Sequence, residues 1–214
     1  MTAESWTLFT EWAKIVGALG AFGFGTYQYI RTQKWKRREF IAAQIKDFEA
    51  DKQIQVVLTV LDWSDRRVAV PSKLEDKPLV VFISESLLCT SLLPHSSTCG
   101  YSPEESLIRD CFDRFLDGLD RLQTFIEAKL ISIDELRPYI DYWLKAMSGQ
   151  TQQHPPEFYA LLHNYIQIYG FTRVARLTET LGYRAAASPM EVDVAIQRIL
   201  DQRPPIKSGE WSAE

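Results

Sequence analysis

No G-x-S-x-G elbow, no Walker loop and no Rossmann glycine fingerprint occurs in the 214 residues. The commonest sequence routes to hydrolase, nucleotide and dinucleotide chemistry are therefore missing. An excess of positive charge is missing too. The formal net charge is −4 and the pI is near 5.5, so no basic footprint for nucleic acid spans the chain. Cysteine is scarce, at three residues. Cys89, His95, Cys99 and Cys111 follow a C-x5-H-x3-C-x11-C spacing that fits no common zinc pattern, and reduced thiols are expected in a cytosol. Neither a low-complexity tract nor an internal repeat of useful strength is present.

A long charge-free run is present, once. Ile15 to Ile30 holds sixteen residues without a charge, four of them glycine, followed by a burst of bases. A secretory leader has its positive charge before the apolar run and a small-residue cleavage site after it. Here Glu4 and Glu11 precede the run and bases follow it. A soluble core helix is disfavoured by Gly17, Gly20, Gly23 and Gly25, each costing about 1 kcal/mol against alanine in a water-exposed helix. A bilayer tolerates them better. Residues 12–30, at about 1.5 Å per residue, reach roughly 28 Å, close to a hydrocarbon core. Trp6 and Trp12 flank one side, and Tyr27, Tyr29 and Trp35 the other, as interfacial aromatics do. A transmembrane helix over 12–30 is expected.

Orientation follows from Arg31, Lys34, Lys36, Arg37 and Arg38. They place the C-terminal side in the cytoplasm and attract anionic membrane lipids. From Arg31 to Ala50 there are six Lys/Arg against three Asp/Glu, whereas Asp51 to the end carries 17 against 23. Residues 1–11 are then extracytoplasmic, 31–203 a cytosolic domain, and 204–214 a disordered tail. Ala13, Gly17, Ala21 and Gly25 recur every fourth residue and form a small-residue ribbon suited to close helix–helix approach. Self-association into a homo-oligomer through this face is expected.

The cytosolic part reads as helices in sequence. A helix leaving the membrane to about Phe48 is followed by a second through Val56, Val57, Val60 and Leu61. Val68–Val70 and Leu79–Ile83 read as two short strands around a polar loop. A helix over Ser84–Leu93 and a breaker-rich loop "PHSSTCGYSP" come next. Ser102-Pro103-Glu104-Glu105 is a capping box, opening a helix whose Ile108, Phe112, Phe115, Leu119, Leu122 and Ile126 share one line. Arg109, Asp110, Asp113, Arg114, Asp117, Asp120 and Arg121 are assigned to the opposite, solvated arc, with i,i+4 pairs such as Glu105–Arg109 and Asp110–Arg114. A second capping box, Ser132 with Glu135, opens a helix through Met147. Two further helices end at Gly170 and Gly182, and Pro189–Gln202 is the last. The fold class expected is mainly all-α, a helical bundle with a small β-hairpin. Most Phe, Trp and Tyr residues are expected in the core.

Chemistry-bearing candidates are few. The aspartates between Asp110 and Asp120 lack a Glu-x-x-His partner for a carboxylate metal site. His163 lies among apolar residues without a nucleophile or carboxylate nearby, and reads as a satisfied core histidine. His154 reads as a loop residue before two prolines. No catalytic residue, cofactor or metal is assigned.

"EFIAAQIKDFEADKQIQVVLTVLDW" and "IRDCFDRFLDGLDRLQTFIEAKLISIDELRPYIDYWL" resemble a group of bacterial membrane proteins with one N-terminal span and a helical cytosolic domain, over roughly Trp12 to Gly182. That group carries no established activity across. "YALLHNYIQIYGF" is similar to a segment of helical membrane accessory proteins associated with CRISPR systems, some of which assemble into membrane rings. The related RNA-cleaving domains place an Arg about one helical turn before a His. None of His95, His154 and His163 has one. The expectation is a non-enzymatic, membrane-anchored, self-associating scaffold or regulatory protein with a protein partner. An oligomeric membrane pore and a degenerate nuclease-like RNA-binding regulator are the alternatives, nucleic acid being the less favoured partner.

Overall fold

The computed structural model describes residues 3–71 and 78–203. Side chains of residues 3–11, Ala13 and Ile15 lie outside the described set, as do the expected tail at 204–214 and most of the loop between the strands. The chain divides into two units, residues 1–44 and 45–214.

Among the described residues, eight α-helices and one antiparallel hairpin form the fold. Helix α1 is Ala3–Ala50. From Val16 to Ile30 it carries no charged side chain, and every residue from Val16 to Glu39 is exposed. Among the described residues no helix is long and apolar enough to cross a membrane, so hydropathy does not support the expected transmembrane helix over 12–30. The cause is composition. Four glycines, Lys14, Thr26, Gln28, Tyr27 and Tyr29 lower the mean of a segment that has no charge between Ile15 and Ile30.

In the second unit, α2 (Lys52–Asp62) begins one residue after α1 ends. Asp51 caps it by accepting from the Gln53 and Ile54 amides, and the α2 stripe of Val56, Val57, Val60 and Leu61 is buried. Strands β1 (Arg66–Val70) and β2 (Leu79–Ile83) pair with Val68 opposite Val81. The alternation in β2 buries Val81 and Ile83 and exposes Val80 and Phe82. Helix α3 (Glu85–Ser91) is capped by Ser84, and the expected loop after it holds a 3-10 turn at His95–Ser97.

Helix α4 (Pro103–Glu127) is the central element and packs against α2, α3 and α7. Its capping box forms as expected, and Phe112, Phe115, Leu119 and Leu122 are buried. Phe48 meets Phe115 with centroids 5.9 Å apart, and Phe112 meets Phe158 at 6.4 Å. Helix α5 (Ile133–Met147) opens with the Ser132–Glu135 box. Helices α6 (Pro156–Ile168) and α7 (Thr172–Thr180) end on Gly170 and Gly182, at φ +81° and +86°. Beyond each glycine the chain reverses, and the next amide bonds back to Ile166 O and Thr178 O respectively. Helix α8 (Pro189–Gln202) starts from a third box, Ser188 with Glu191, and lies against α6.

Most aromatics of the bundle are expected in its core, and its two described tryptophans, Trp63 and Trp143, depart from that. Trp12, Trp35 and Trp63 are exposed and Trp143 is half-buried. Phenylalanine and Tyr165 fill it instead.

Candidate functional site

The expected membrane face lies on one helix. Gly17, Ala21 and Gly25 share a line along α1, exposed, with open space within 4 Å of any Cβ added at either glycine. Ala13, the fourth member of that ribbon, has a side chain outside the described set. Arg31, Lys34, Lys36, Arg37 and Arg38 follow within about two turns, all exposed. Thr26 and Thr32 return their hydroxyls to the carbonyls of Phe22 and Gln28, at 2.9 and 2.8 Å. These are i−4 back-bonds of the kind Thr124, Thr178 and Thr180 also make in the bundle.

The solvated arc expected on α4 is only partly solvated. Arg109 is buried at 7% exposure and Glu105 at 6%. Arg109 Nη1 donates to the carbonyls of Ser91 (2.7 Å) and Leu93 (2.9 Å). Its guanidinium lies 4.3, 4.9 and 5.2 Å from the ring centres of Tyr101, Tyr165 and Tyr169 respectively. Glu105 accepts from Arg203 at 2.5 Å, and Arg114 donates to Asp51 at 2.7 Å. These long-range partners tie Glu105, Arg109 and Arg114 to segments remote in sequence. The reason is position: Arg109 stands seven residues before the buried Leu116 and so flanks the apolar stripe.

This cluster holds the 92–102 segment against the bundle. Tyr101 donates to Leu93 O at 2.6 Å, and Tyr165 donates to Asp113 at 2.5 Å. Burial pushes the Tyr101 phenol up to about 12 and raises that of Tyr165, while burial also raises the Asp113 carboxyl against the Tyr165 bond. Phenols so raised are neither bases nor nucleophiles near neutral pH. The arrangement clamps the segment to the bundle.

The histidines divide. His154, expected in a loop, is buried. Nδ1 lies 2.9 Å from Glu85 Oε1 and Nε2 3.2 Å from Leu61 O, joining three segments that are remote in sequence. Burial works to raise the Glu85 carboxyl, but bonds from His154 and Ser64 outweigh it and hold the group below its ordinary range. His163 is buried with Nε2 donating to Met147 O at 3.1 Å. Burial lowers it to about 4. A histidine in "QQHPPEF" gives no sequence signal of burial, because Glu85 and Leu61 reach it only through the fold.

Both histidines line a cleft of about 650 Å³ between α6, α8 and the segment after α5. Arg184 with Glu191 and Arg198 with Glu157 stand at it as two ion pairs, with Ala160 and Ala195 leaving room. Hydrogen bonds from Arg184 and then Ser188 bring the Glu191 carboxyl down to about 2. Sequence reasoning missed this cleft, since its lining comes from segments that become neighbours only on folding.

Cys89 and Cys111 are buried and Cys99 is exposed, with no disulfide among them. Among the described residues, no three His, Cys, Asp or Glu side chains are grouped to hold a metal ion. Comparison with protein-family models, with curated proteins and with solved structures finds no match to this chain.

Proposed function

We propose that the protein is a membrane-anchored, non-catalytic helical scaffold or regulator. Residues 12–30 of α1 seat in a bilayer, residues 31–203 face the cytoplasm, and copies pair through Ala13, Gly17, Ala21 and Gly25. The observation that supports this best is the exposed side of α1. Val16, Leu19, Phe22, Phe24, Tyr27 and Ile30 are each at least half exposed and cover rather more than half of the helix circumference, with Gly17, Ala21 and Gly25 on the remaining side. A helix apolar all round belongs inside protein or lipid rather than in water. The low mean hydropathy weighs against the reading. Much of the lowering, however, comes from glycine, which adds no polar side chain and serves close helix packing. Arg31 to Arg38 would contribute about 1 kcal/mol each next to anionic lipid. The bundle would engage a protein partner.

A C-terminal reporter fusion tests the anchor. It should score cytoplasmic, and the protein should resist carbonate extraction from membranes. Release by carbonate, or an external reporter, refutes the reading. Replacing Gly17 and Ala21 with Leu should leave insertion intact and reduce the particle mass in detergent. The small-residue ribbon also favours a second reading, a pore formed by the same assembly, which ion conductance in liposomes separates from a plain anchor.

A further inference from the structure

The cleft between α6 and α8 has no part in membrane anchoring, and its chemistry is specific. His163 is 3% exposed. With Nε2–H donated to Met147 O, its other nitrogen, Nδ1, is a bare acceptor in a neutral ring. Burial keeps the ring neutral near pH 7, and Arg184 and Glu191 stand close enough to act on its charge. The described bonds of Glu191 to Arg184 and Ser188 all fall on Oε2, and that of Glu157 to Arg198 falls on Oε1. Each carboxylate keeps an oxygen outside those bonds. The cleft thus offers three acceptor atoms, two guanidinium groups and, in Ala160, Ala187, Val194 and Ala195, an apolar wall.

The two Arg–Glu pairs cancel in charge, so a multiply charged ligand gains no net attraction while losing its hydration. A zwitterion is matched instead. Its ammonium carries N–H donors for the carboxylate and imidazole acceptors that line the cleft, and its carboxylate suits the guanidinium groups there. A volume of about 650 Å³ is within the usual range of small-molecule sites. We propose that this cleft binds a free α-amino acid with an apolar side chain.

The test is isothermal titration of the full chain with L-phenylalanine and L-leucine. Saturable one-to-one binding is expected for at least one, in the millimolar range or tighter. N-acetyl-L-phenylalanine, which has no ammonium, and phenethylamine, which has no carboxylate, should each bind at least tenfold more weakly than L-phenylalanine. Ala187→Phe, at a half-buried position on the cleft wall, should abolish binding while leaving the circular dichroism melt in place. His163→Leu should weaken binding about tenfold; if it fails to fold, Ala187→Phe and the two analogues still decide. No binding of either amino acid at 5 mM (a limit of roughly 3 kcal/mol), analogues that bind as well as L-phenylalanine, or binding undisturbed by Ala187→Phe each overturn the proposal. A nucleoside monophosphate binding more tightly than either amino acid overturns the charge argument as well.

Discussion

Replacing Gly118 by alanine sets two effects of opposite sign against each other. Gly118 lies in the middle of α4, where alanine is favoured over glycine by about 1 kcal/mol. A Cβ there would stand 2.7 and 2.8 Å from Cε2 and Cδ2 of Phe48, and 3.3 Å from Cδ1 of Ile54. Carbon atoms in contact need about 3.5 Å or more. Phe48 cannot swing aside easily, because it is 2% exposed and its ring already packs on Phe115. Overpacking of this kind costs about 1–3 kcal/mol. With Phe48 held in place the clash falls in the upper part of that range and outweighs the propensity gain, so Gly118→Ala should destabilise the bundle by up to about 2 kcal/mol. For a domain of this size that lowers Tm by up to roughly 6 °C.

Thermal unfolding followed by far-UV circular dichroism reads the effect. A second variant fixes the cause. Phe48→Leu opens the space the new methyl needs, so the double variant should be less destabilised than the sum of its two parts. If Gly118→Ala melts at or above the native temperature, the close approach of α4 to Phe48 is wrong, and helix propensity is what the position reports.

Three other outcomes are expected. His163 has a folded value of about 4 against 6.5 unfolded, so the unfolded chain binds the extra proton between those values and stability falls as pH drops from 6.5 to 4, by up to about 3 kcal/mol; urea titrations across that window should show a flatter profile for His163→Gln, and an unchanged slope refutes the assignment. Arg109→Met should cost about 2–4 kcal/mol by leaving the Ser91 and Leu93 carbonyls without their charged donor, and Arg109→Lys should recover less than half, since an ammonium lacks the planar face that meets three tyrosines; a native Tm in Arg109→Met overturns the clamp. Cys99 should react with a thiol reagent in the native protein, while Cys89 and Cys111 react only on denaturation, burial having pushed the Cys89 thiol up to about 12.

Elements were legible in the sequence wherever local chemistry sets them. The boxes at Ser102–Glu105 and Ser132–Glu135 mark helix starts, and Gly170 and Gly182 mark ends, because caps and left-handed turns involve neighbours a few residues apart. The hairpin followed from β-branched runs in the same way. What local pattern could not reach was the burial of charge. A helical projection places Arg109 by angle alone, but its burial depends on Tyr101, Tyr165 and Tyr169, which arrive from other segments. His154 and the cleft are hidden for the same reason. The exposure of Trp63 shows the converse limit, since composition marks tryptophan as core material without saying whether neighbours close over it.

The placement of the tryptophans also decides which spectroscopy can follow this protein. Of the four tryptophans whose side chains are described, Trp12, Trp35 and Trp63 already face outward and Trp143 is only half-covered. Their emission has little red-shift left to show on unfolding, so tryptophan fluorescence is a poor gauge of the bundle's stability, and the helical signal is the better one. The same indoles become useful once lipid is present. Trp12 and Trp35 flank the apolar stretch of α1, and a blue shift on adding vesicles, with quenching graded by the depth of a lipid-borne quencher, would report where that helix sits.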